Sequence, residues 1–398
     1  HNTVASLTGA ACLVLTHILS IEDCVDAVDV ETICILVGMM LLVAVIKNSG
    51  IFEYIAIKAA KIAKGRPWPI MVIFILITAV CSGMLDNVTT VLLVGPMTLA
   101  ITNILKVDPV PYIITQIMAS NIGGTATLIG DPPNIMIGSA AKLGFVDFIL
   151  NTGVATIFVI IVGLICMYFI YGRKLFVTDE SIAKVMQLDE NKAIKDRKLM
   201  HESVIVIILV ALCFIFHDQL GVQSCTVAIA AACIMLLIGG QEPEEIIADV
   251  EWPTILFFIG LFIVVGGMKK VGVITMLANG LISITHGNMI VTMMVILWVS
   301  AIVSSFLDNI PFVATLIPMI LTMQAEGMDV APIWWALSLG ACLGGNGTLI
   351  GASANVVLSG ISKNNGHPIT FGQYFKIGFP MMILSIIVCS VFLLIRFA

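Results

Sequence analysis

The segment GGTATLIGDPPN at residues 123–134 has a near-copy, GGNGTLIGASAN, at residues 344–355. In a soluble protein the first would read as a glycine-rich phosphate loop. The rest of the chain forbids that reading. Of its 398 residues 59% are hydrophobic and 11% charged, with a mean hydropathy of +1.10, whereas a soluble domain carries roughly 25% charged residues. Uncharged apolar runs such as 154–171 and 377–395 are long enough to span a bilayer. The two glycine phrases therefore lie within a polytopic, all-α membrane chain, which excludes a nucleic-acid partner. The formal net charge of −6 says little, because in such a protein the position of charge matters more than its sum. Ten cysteines are scattered singly, without a CxxC pair or a Cys/His cluster. They read as small packing residues rather than metal ligands or disulfide partners. The opening HNTVASLTGA lacks a basic n-region, so no cleavable leader is expected.

The duplication extends well beyond the two phrases. VDVETICILVGMMLLVAVIKNSG from Val28 aligns without gaps on VEWPTILFFIGLFIVVGGMKKVG from Val250, and LDNVTTVLLVGPM from Leu85 aligns on LDNIPFVATLIPM from Leu307, both with a shift of 222. The phrases themselves, and GAACLVL at Gly9 on AAACIML at Ala230, are related by 221. Internal repeats of this kind are a signature of transporter folds. Apolar runs bounded by charge, Pro or Gly predict spans at 3–20, 28–49, 145–172, 203–217, 223–239, 252–271 and 372–398. Amphipathic segments at 51–66, with Lys58, Lys61 and Lys64 at helical spacing, and at 272–287 read as helices lying in the interface. The runs 68–105 and 288–324, each broken by a short polar turn, read as re-entrant helical hairpins; the alternative is two full crossings in each run, which would make the repeats parallel. The runs 109–141 and 331–362, interrupted by the two phrases, read as broken helices. The span at 203–217 has no partner in the first half, so a helix preceding His1 is expected.

Hairpins make each repeat cross the membrane an odd number of times, which inverts the halves. That topology gathers Lys47, Lys58, Lys61, Lys64, Arg66, Lys106, the basic stretch 173–198, Lys363 and Lys376 on one face. Lys142, Lys269, Lys270 and Arg396 fall on the other. The positive-inside bias makes the first face cytoplasmic, in a bacterial cytoplasmic membrane. The resulting organisation is a scaffold at 1–66 and 203–287, a transport unit at 67–172 and 288–398, and a cytoplasmic linker at 173–202.

At membrane depth a break in a helix is tolerated only where it is buried in protein or lines a cavity. There are four such breaks. SGMLDN with Thr89 and Thr90 is matched by SSFLDNIP, and the two phrases form the second pair. Glycines such as Gly123, Gly124 and Gly347 let the backbone unwind, and Pro132 and Pro133 forbid helix continuation. Freed amides, freed carbonyls and half-helix ends aimed at one point make an ion-binding shell. Asp86, Asp131 and Asp308 lie in the breaks without a Lys or Arg beside them. An ionised Asp at the bilayer centre costs at least about 2.5–3.5 kcal/mol on insertion scales, so each is either a half-helix cap or a ligand for a cation or proton. Asn87, Asn121, Asn134, Asn309, Asn346 and Asn355, with Thr125, Thr127, Thr348 and Ser353, offer the neutral oxygens that hard cations prefer. Na⁺ is expected at Asn87, Asn121, Asn309 and Asn346. Glu53 reads as a solvated arm residue, and His17, His217 and His286 as interfacial.

At these residues the chain resembles the ion transporter superfamily, which includes arsenite permeases, NhaD-type sodium/proton antiporters and divalent-anion/sodium symporters. It is most similar to the melanosomal P protein group and its bacterial homologues. NIGGTATLIGDPPNIMIGSAA, GACLGGNGTLIGASANVV and MLDNVTTVLL match that group's signatures, and the likeness covers essentially the whole chain. The resemblance implies a homodimer whose protomers move a transport unit against a scaffold, as an elevator. Members of the group usually begin one or two helices before a segment like HNTVAS. In divalent-anion symporters the hairpin tips carry Ser-Asn-Thr, and here the matching positions read Asp86-Asn87-Val88 and Asp308-Asn309-Ile310. Two added charges would repel a dicarboxylate by roughly 1–4 kcal/mol each. The expectation is therefore sodium- or proton-coupled exchange of a small inorganic ion, with no other cofactor. Arsenite efflux, sodium-coupled dicarboxylate or citrate transport, and a passive anion channel are the alternatives. An aspartyl-protease dyad would need a GxGD context that the repeated LDN does not supply, so the chain is not read as an enzyme.

Overall fold

The computed structural model describes residues 2–397. His1 of the HNTVAS segment and the final residue of the 372–398 span lie outside them. Every regular element among the described residues is helical, as a chain without water to satisfy its backbone requires. The predicted spans appear as Val30–Lys47, Arg197–Leu220, Ser224–Ile238, Trp252–Lys270 and Phe371–Phe397, and the span at 145–172 as Phe145–Ile170 with a π turn at Ile149–Gly153. The span expected at 3–20 stops early. Asn2–Leu15 ends in a turn with His17 at φ 56°, and a separate short helix, Ile21–Ala27, follows. Its start is a reciprocal cap: the Asp23 amide donates to Ser20 Oγ at 3.1 Å, and the Ser20 amide to Asp23 Oδ2 at 2.7 Å. IEDCVDA is too acidic to register as part of a span.

Polar contacts at helix ends fix the relative direction of the repeats. Lys47, at the C-terminus of Val30–Lys47, pairs with Asp249 at 2.6 Å, just before the N-terminus of the equivalent helix Trp252–Lys270. The two equivalent helices therefore run in opposite directions, and the repeats are inverted. Val30–Lys47 packs along Ser224–Ile238, and Asn2–Leu15 along Trp252–Lys270, so each long helix pairs with one from the other repeat. Thr3 Oγ1 donates to Pro253 O at 2.7 Å. On the opposite face Lys270 pairs with Asp23 at 2.5 Å and holds that exposed carboxyl down at about 2.

Eight helices among the described residues are long and apolar enough to cross a bilayer. Three of these are legs of helical hairpins. Pro67–Met84 and Asn87–Leu105 form the first hairpin, Met289–Phe306 and Asn309–Ala325 the second. Tyr112 Oη, near the start of Val110–Thr125, donates to Pro67 O at 2.9 Å. At the other end of the same leg Ser82 Oγ donates to Ser120 O at 2.8 Å, and Thr127 Oγ1 to Gly83 O at 2.5 Å. The hairpin thus starts level with the start of the broken helix and turns back at its middle. The second hairpin repeats this: Ser304 Oγ donates to Ala341 O at 2.6 Å and Ser305 Oγ to Gly344 O at 3.0 Å.

The arms appear as Ile51–Ile62 and Val273–Thr285, each packed on the second leg of its own hairpin. The polar stretch 173–202 is ordered over the first arm only. Its helix Asp179–Met186 packs on Ile51–Ile62 and Asn87–Leu105, with Val185 buried against Ala56, Ala59 and Ala60. Glu190 accepts from Lys61 at 2.5 Å, and the amides of Lys195 and Asp196 donate to Ser49 O at 3.0 and 3.3 Å.

Each first hairpin leg packs on its broken helix at a spacing that only glycine allows. A Cβ on Gly123 would lie 2.1 Å from Ala79 O, and one on Gly344 2.6 Å from Ala301 O. Overpacking ordinarily costs about 1–3 kcal/mol, and backbone on backbone cannot yield as a side chain does. Gly123→Ala and Gly344→Ala should each destabilise the protein by at least about 3 kcal/mol. Gly280→Ala, which meets nothing within 4 Å, should stay within about 0.5 kcal/mol of the parent. Thermal unfolding in detergent checks both.

Candidate functional site

The two phrases end in equivalent asparagines that close the breaks they terminate. Asn134 Nδ2 donates to Gly124 O and Thr127 O at 3.2 and 2.9 Å. Asn355 Nδ2 donates to Gly345 O and Thr348 O at 2.7 and 2.9 Å. These bonds satisfy carbonyls that lost their helical partners, which burial makes obligatory. Each Asn then accepts from the other repeat: Asn355 Oδ1 from Asn121 Nδ2 at 2.9 Å, and Asn134 Oδ1 from Ser338 Oγ at 2.6 Å and Cys342 Sγ at 3.5 Å. Asn121 and Cys342 are equivalent positions, so the cross-brace follows the internal symmetry.

The hairpin breaks are shorter than their polar sequence suggests. The helices stop at Met84 and Phe306 and resume at Asn87 and Asn309, so Thr89 and Thr90 sit in the first turn of a helix. Asp86 and Asp308 are N-caps. Asp86 Oδ1 accepts from the Thr89 amide at 2.9 Å and Oδ2 from Thr89 Oγ1. Asp308 Oδ1 accepts from the Ile310 amide at 3.2 Å and Oδ2 from Ser353 Oγ at 3.1 Å. Asp131 also occupies an N-cap position, but its side chain makes no cap bond. Pro132 and Pro133 carry no N–H at the first two helical positions, and the Asn134 amide at the third donates to Asp131 O at 2.9 Å rather than to its carboxylate. Its carboxylate instead accepts from Asn309 Nδ2 at 3.3 and 3.4 Å. Of the three acids, Asp131 is thus the one least engaged by its own helix.

Where the tips meet, a chamber of about 30 Å³ is bordered by Asp86, Asn87, Asp131, Asn309, Glu251 and Ser353 among others. That is room for one or two water-sized particles. A vestibule of about 440 Å³ adjoins it, with Asp308 and Ser353 in its wall. No Lys, Arg or His among the described residues is within ion-pair distance of Asp86, Asp131, Asp308 or Glu251.

The expected sodium ligands divide into two layers. Asn87 and Asn309 border the chamber. Asn121 and Asn346 do not border it and are joined to each other at 2.9 Å, with Asn121 Oδ1 buried and, among the described residues, without a hydrogen-bond partner. Thr90 Oγ1 is likewise buried and unpartnered. Thr125, Thr127 and Thr348 donate their hydroxyl protons to backbone carbonyls, Thr125 to Asn121 O at 2.6 Å and Thr348 to Ser305 O. Gly124 lets Asn87 approach, since a Cβ there would lie 2.2 Å from Asn87 Oδ1; Gly347 does the same for Ser305 Oγ at 2.3 Å. Glu251 went unnoticed in the sequence. Its signal was there: an acid directly before a span in both halves, Asp29 and Glu251, each followed three residues later by Thr.

Residues 1–340 match the citrate transporter family. The chain belongs to that family. Relatives of this citrate transporter family member include an uncharacterised transporter of Mycobacterium tuberculosis, 41% identical over 405 residues that cover 100% of this chain and 94% of that one. The human P protein is 32% identical over 481 residues, 99% of this chain, which spans only 57% of the P protein's length. The crystal structure of the YdaH transporter of Alcanivorax borkumensis superposes with a TM-score of 0.61 at 15% identity, over 90% of this chain and 84% of that one. The protein is accordingly a transporter and not an enzyme, integral to a bacterial cytoplasmic membrane.

The Asn121 bridge joins both broken helices, and its loss leaves two buried acceptors facing nothing. Leaving a buried polar group unpaired costs about 1–3 kcal/mol. Asn121→Ala should therefore lower stability by that amount per orphaned acceptor, and Asn121→Asp, which cannot donate to Asn346 and Asn355 when ionised, should be no better. Unfolding in detergent measures this directly.

Proposed function

We propose that this transporter exchanges a small inorganic ion against sodium or protons. The observation that carries the reading is the chamber: Asp86 and Asp131 border a space for one or two water-sized particles, and no basic side chain among the described residues neutralises them. Carboxylates without basic partners favour a bound cation or a bound proton, and competition between the two at one site is the physical content of antiport. The open oxygen of Asn121, buried where the two broken helices are bonded to each other, adds a neutral ligand of the kind hard cations take. In this reading 1–66 and 203–287 form a scaffold that dimerises. The hairpins and broken helices of 67–172 and 288–398 move as an elevator, and the arms transmit the motion. The basic face is cytoplasmic, so the vestibule opens inward.

Citrate transport is the second reading, favoured by the family's description. The vestibule has room for a tricarboxylate that the chamber lacks. Each unpaired carboxylate would repel that anion by roughly 1–4 kcal/mol unless cations accompanied it.

Transport by purified protein in proteoliposomes, offered Na⁺, H⁺, arsenite and citrate in turn, separates the readings. Ion flux driven by a sodium or proton gradient supports exchange; citrate uptake without cation exchange overturns it. Sodium added to the purified protein should release protons. Asp86→Asn, Asp131→Asn and Asp308→Asn should each reduce that release, Asp131→Asn most, because its carboxylate is least engaged by its own helix. Equal release from all three variants and the parent would leave the aspartates as structural caps.

A further inference from the structure

The chamber and the vestibule share a wall. Val88, Glu251, Thr254, Ile310 and Ser353 border both cavities. Asp86 and Asp131 border the chamber alone, and Asp308 the vestibule alone. Glu251 is therefore the one ionisable group, among the described residues, that faces both spaces.

Its repeat mate shows what this position does when it is only a cap. Asp29 accepts from the amides of Glu31 and Thr32 at 3.1 and 3.3 Å and from Thr32 Oγ1 at 2.7 Å, so its oxygens are occupied by the start of its own helix. Glu251, one methylene longer, makes no cap bond to the backbone of Trp252–Lys270. Among the described residues its single side-chain hydrogen bond is from Thr254 Oγ1 at 3.2 Å. The added reach carries the carboxylate away from the helix start and into the shared wall. It also comes from a different element than the other acids, since Asp86, Asp131 and Asp308 belong to the hairpins and broken helices and Glu251 to a long helix of the opposite set.

We propose that Glu251 is the relay through which the coupling cation passes between vestibule and chamber, binding it in transit rather than holding it in the loaded state. This rests on the cation-exchange reading above. A charge placed in a narrow neck raises the local concentration of its counter-ion and speeds both arrival and departure, while equilibrium affinity remains with the chamber.

Stopped-flow measurement of sodium-induced proton release, beside equilibrium sodium affinity, tests the relay. Glu251→Gln should slow association and dissociation together by at least about tenfold, the low end of what charge in a cleft supplies, with the dissociation constant changed by less than about threefold, a shift of less than about 0.7 kcal/mol. Unchanged rates overturn the proposal, and so does lost affinity at unchanged association rate, which would make Glu251 a resident ligand. Glu251→Gln removes no backbone cap, but a second test leaves Glu251 in place. With accessible native cysteines blocked, Thr254→Cys should react about tenfold faster with a cationic thiol reagent than with an anionic one, by the same steering. Equal rates overturn the proposal. A parent protein that neither binds sodium nor releases protons, while Thr254→Cys shows the charge preference, would remove the exchange reading instead.

Discussion

The structure depends on one constraint: backbone that leaves its helix at membrane depth must find other hydrogen-bond partners. Four breaks converge near the centre of this chain, and each is satisfied from within. Asn134 and Asn355 reach back across their own breaks, Thr127 and Thr348 tie the breaks to the hairpin tips, and Asp86 and Asp308 cap the helices that resume. Glycine enters where backbone must meet backbone, as at Gly123 against Ala79. Polar residues in so apolar a chain are thus mostly structural. The chemistry is left to the few whose oxygens the breaks do not consume.

That division explains what was legible in the sequence. The duplication was legible from gapless alignments, and the broken helices, the hairpins and the inverted halves from polar breaks and lysine positions, which a bilayer constrains. The short helix Ile21–Ala27 was hidden, since its stability comes from a local Ser20–Asp23 cap rather than an apolar stripe. The roles of the asparagines were hidden as well. Asn87 and Asn134 look alike in sequence, yet one borders the chamber and the other serves as a brace, a difference set by which carbonyls lie within reach. Asp131 was ambiguous between cap and ligand in the sequence; the structure shows that it makes no cap bond and accepts from Asn309 of the other repeat.

Symmetry between the halves is strong where it supports the fold and weak where the chamber is built. Asp86 and Asp308 are mates, as are Asn87 and Asn309. Asp131, however, falls opposite Ala352, Asn121 opposite Cys342, and Glu251 opposite Asp29. The braces tolerate such drift, since Cys342 still donates to Asn134. An ion site assembled from both halves does not need mirror copies of every ligand. It needs enough oxygens at one point, and one half can supply an acid that the other lacks.

An inverted repeat makes the two membrane faces interchangeable in principle. The chain that joins the repeats cannot share in that equivalence, because it exists once. Here it lies over the first arm, held by Glu190, by Ser49 O and by the close approach of Ala193 to Gly50, and nothing comparable covers Val273–Thr285 among the described residues. Two conformations related by exchanging the repeats would therefore differ in free energy by whatever these contacts contribute. At about 1.4 kcal/mol per tenfold in population, even a few hydrogen bonds set a resting bias. A gene fusion that places its linker on one side of a membrane thereby gives the empty protein a default orientation before any ligand binds.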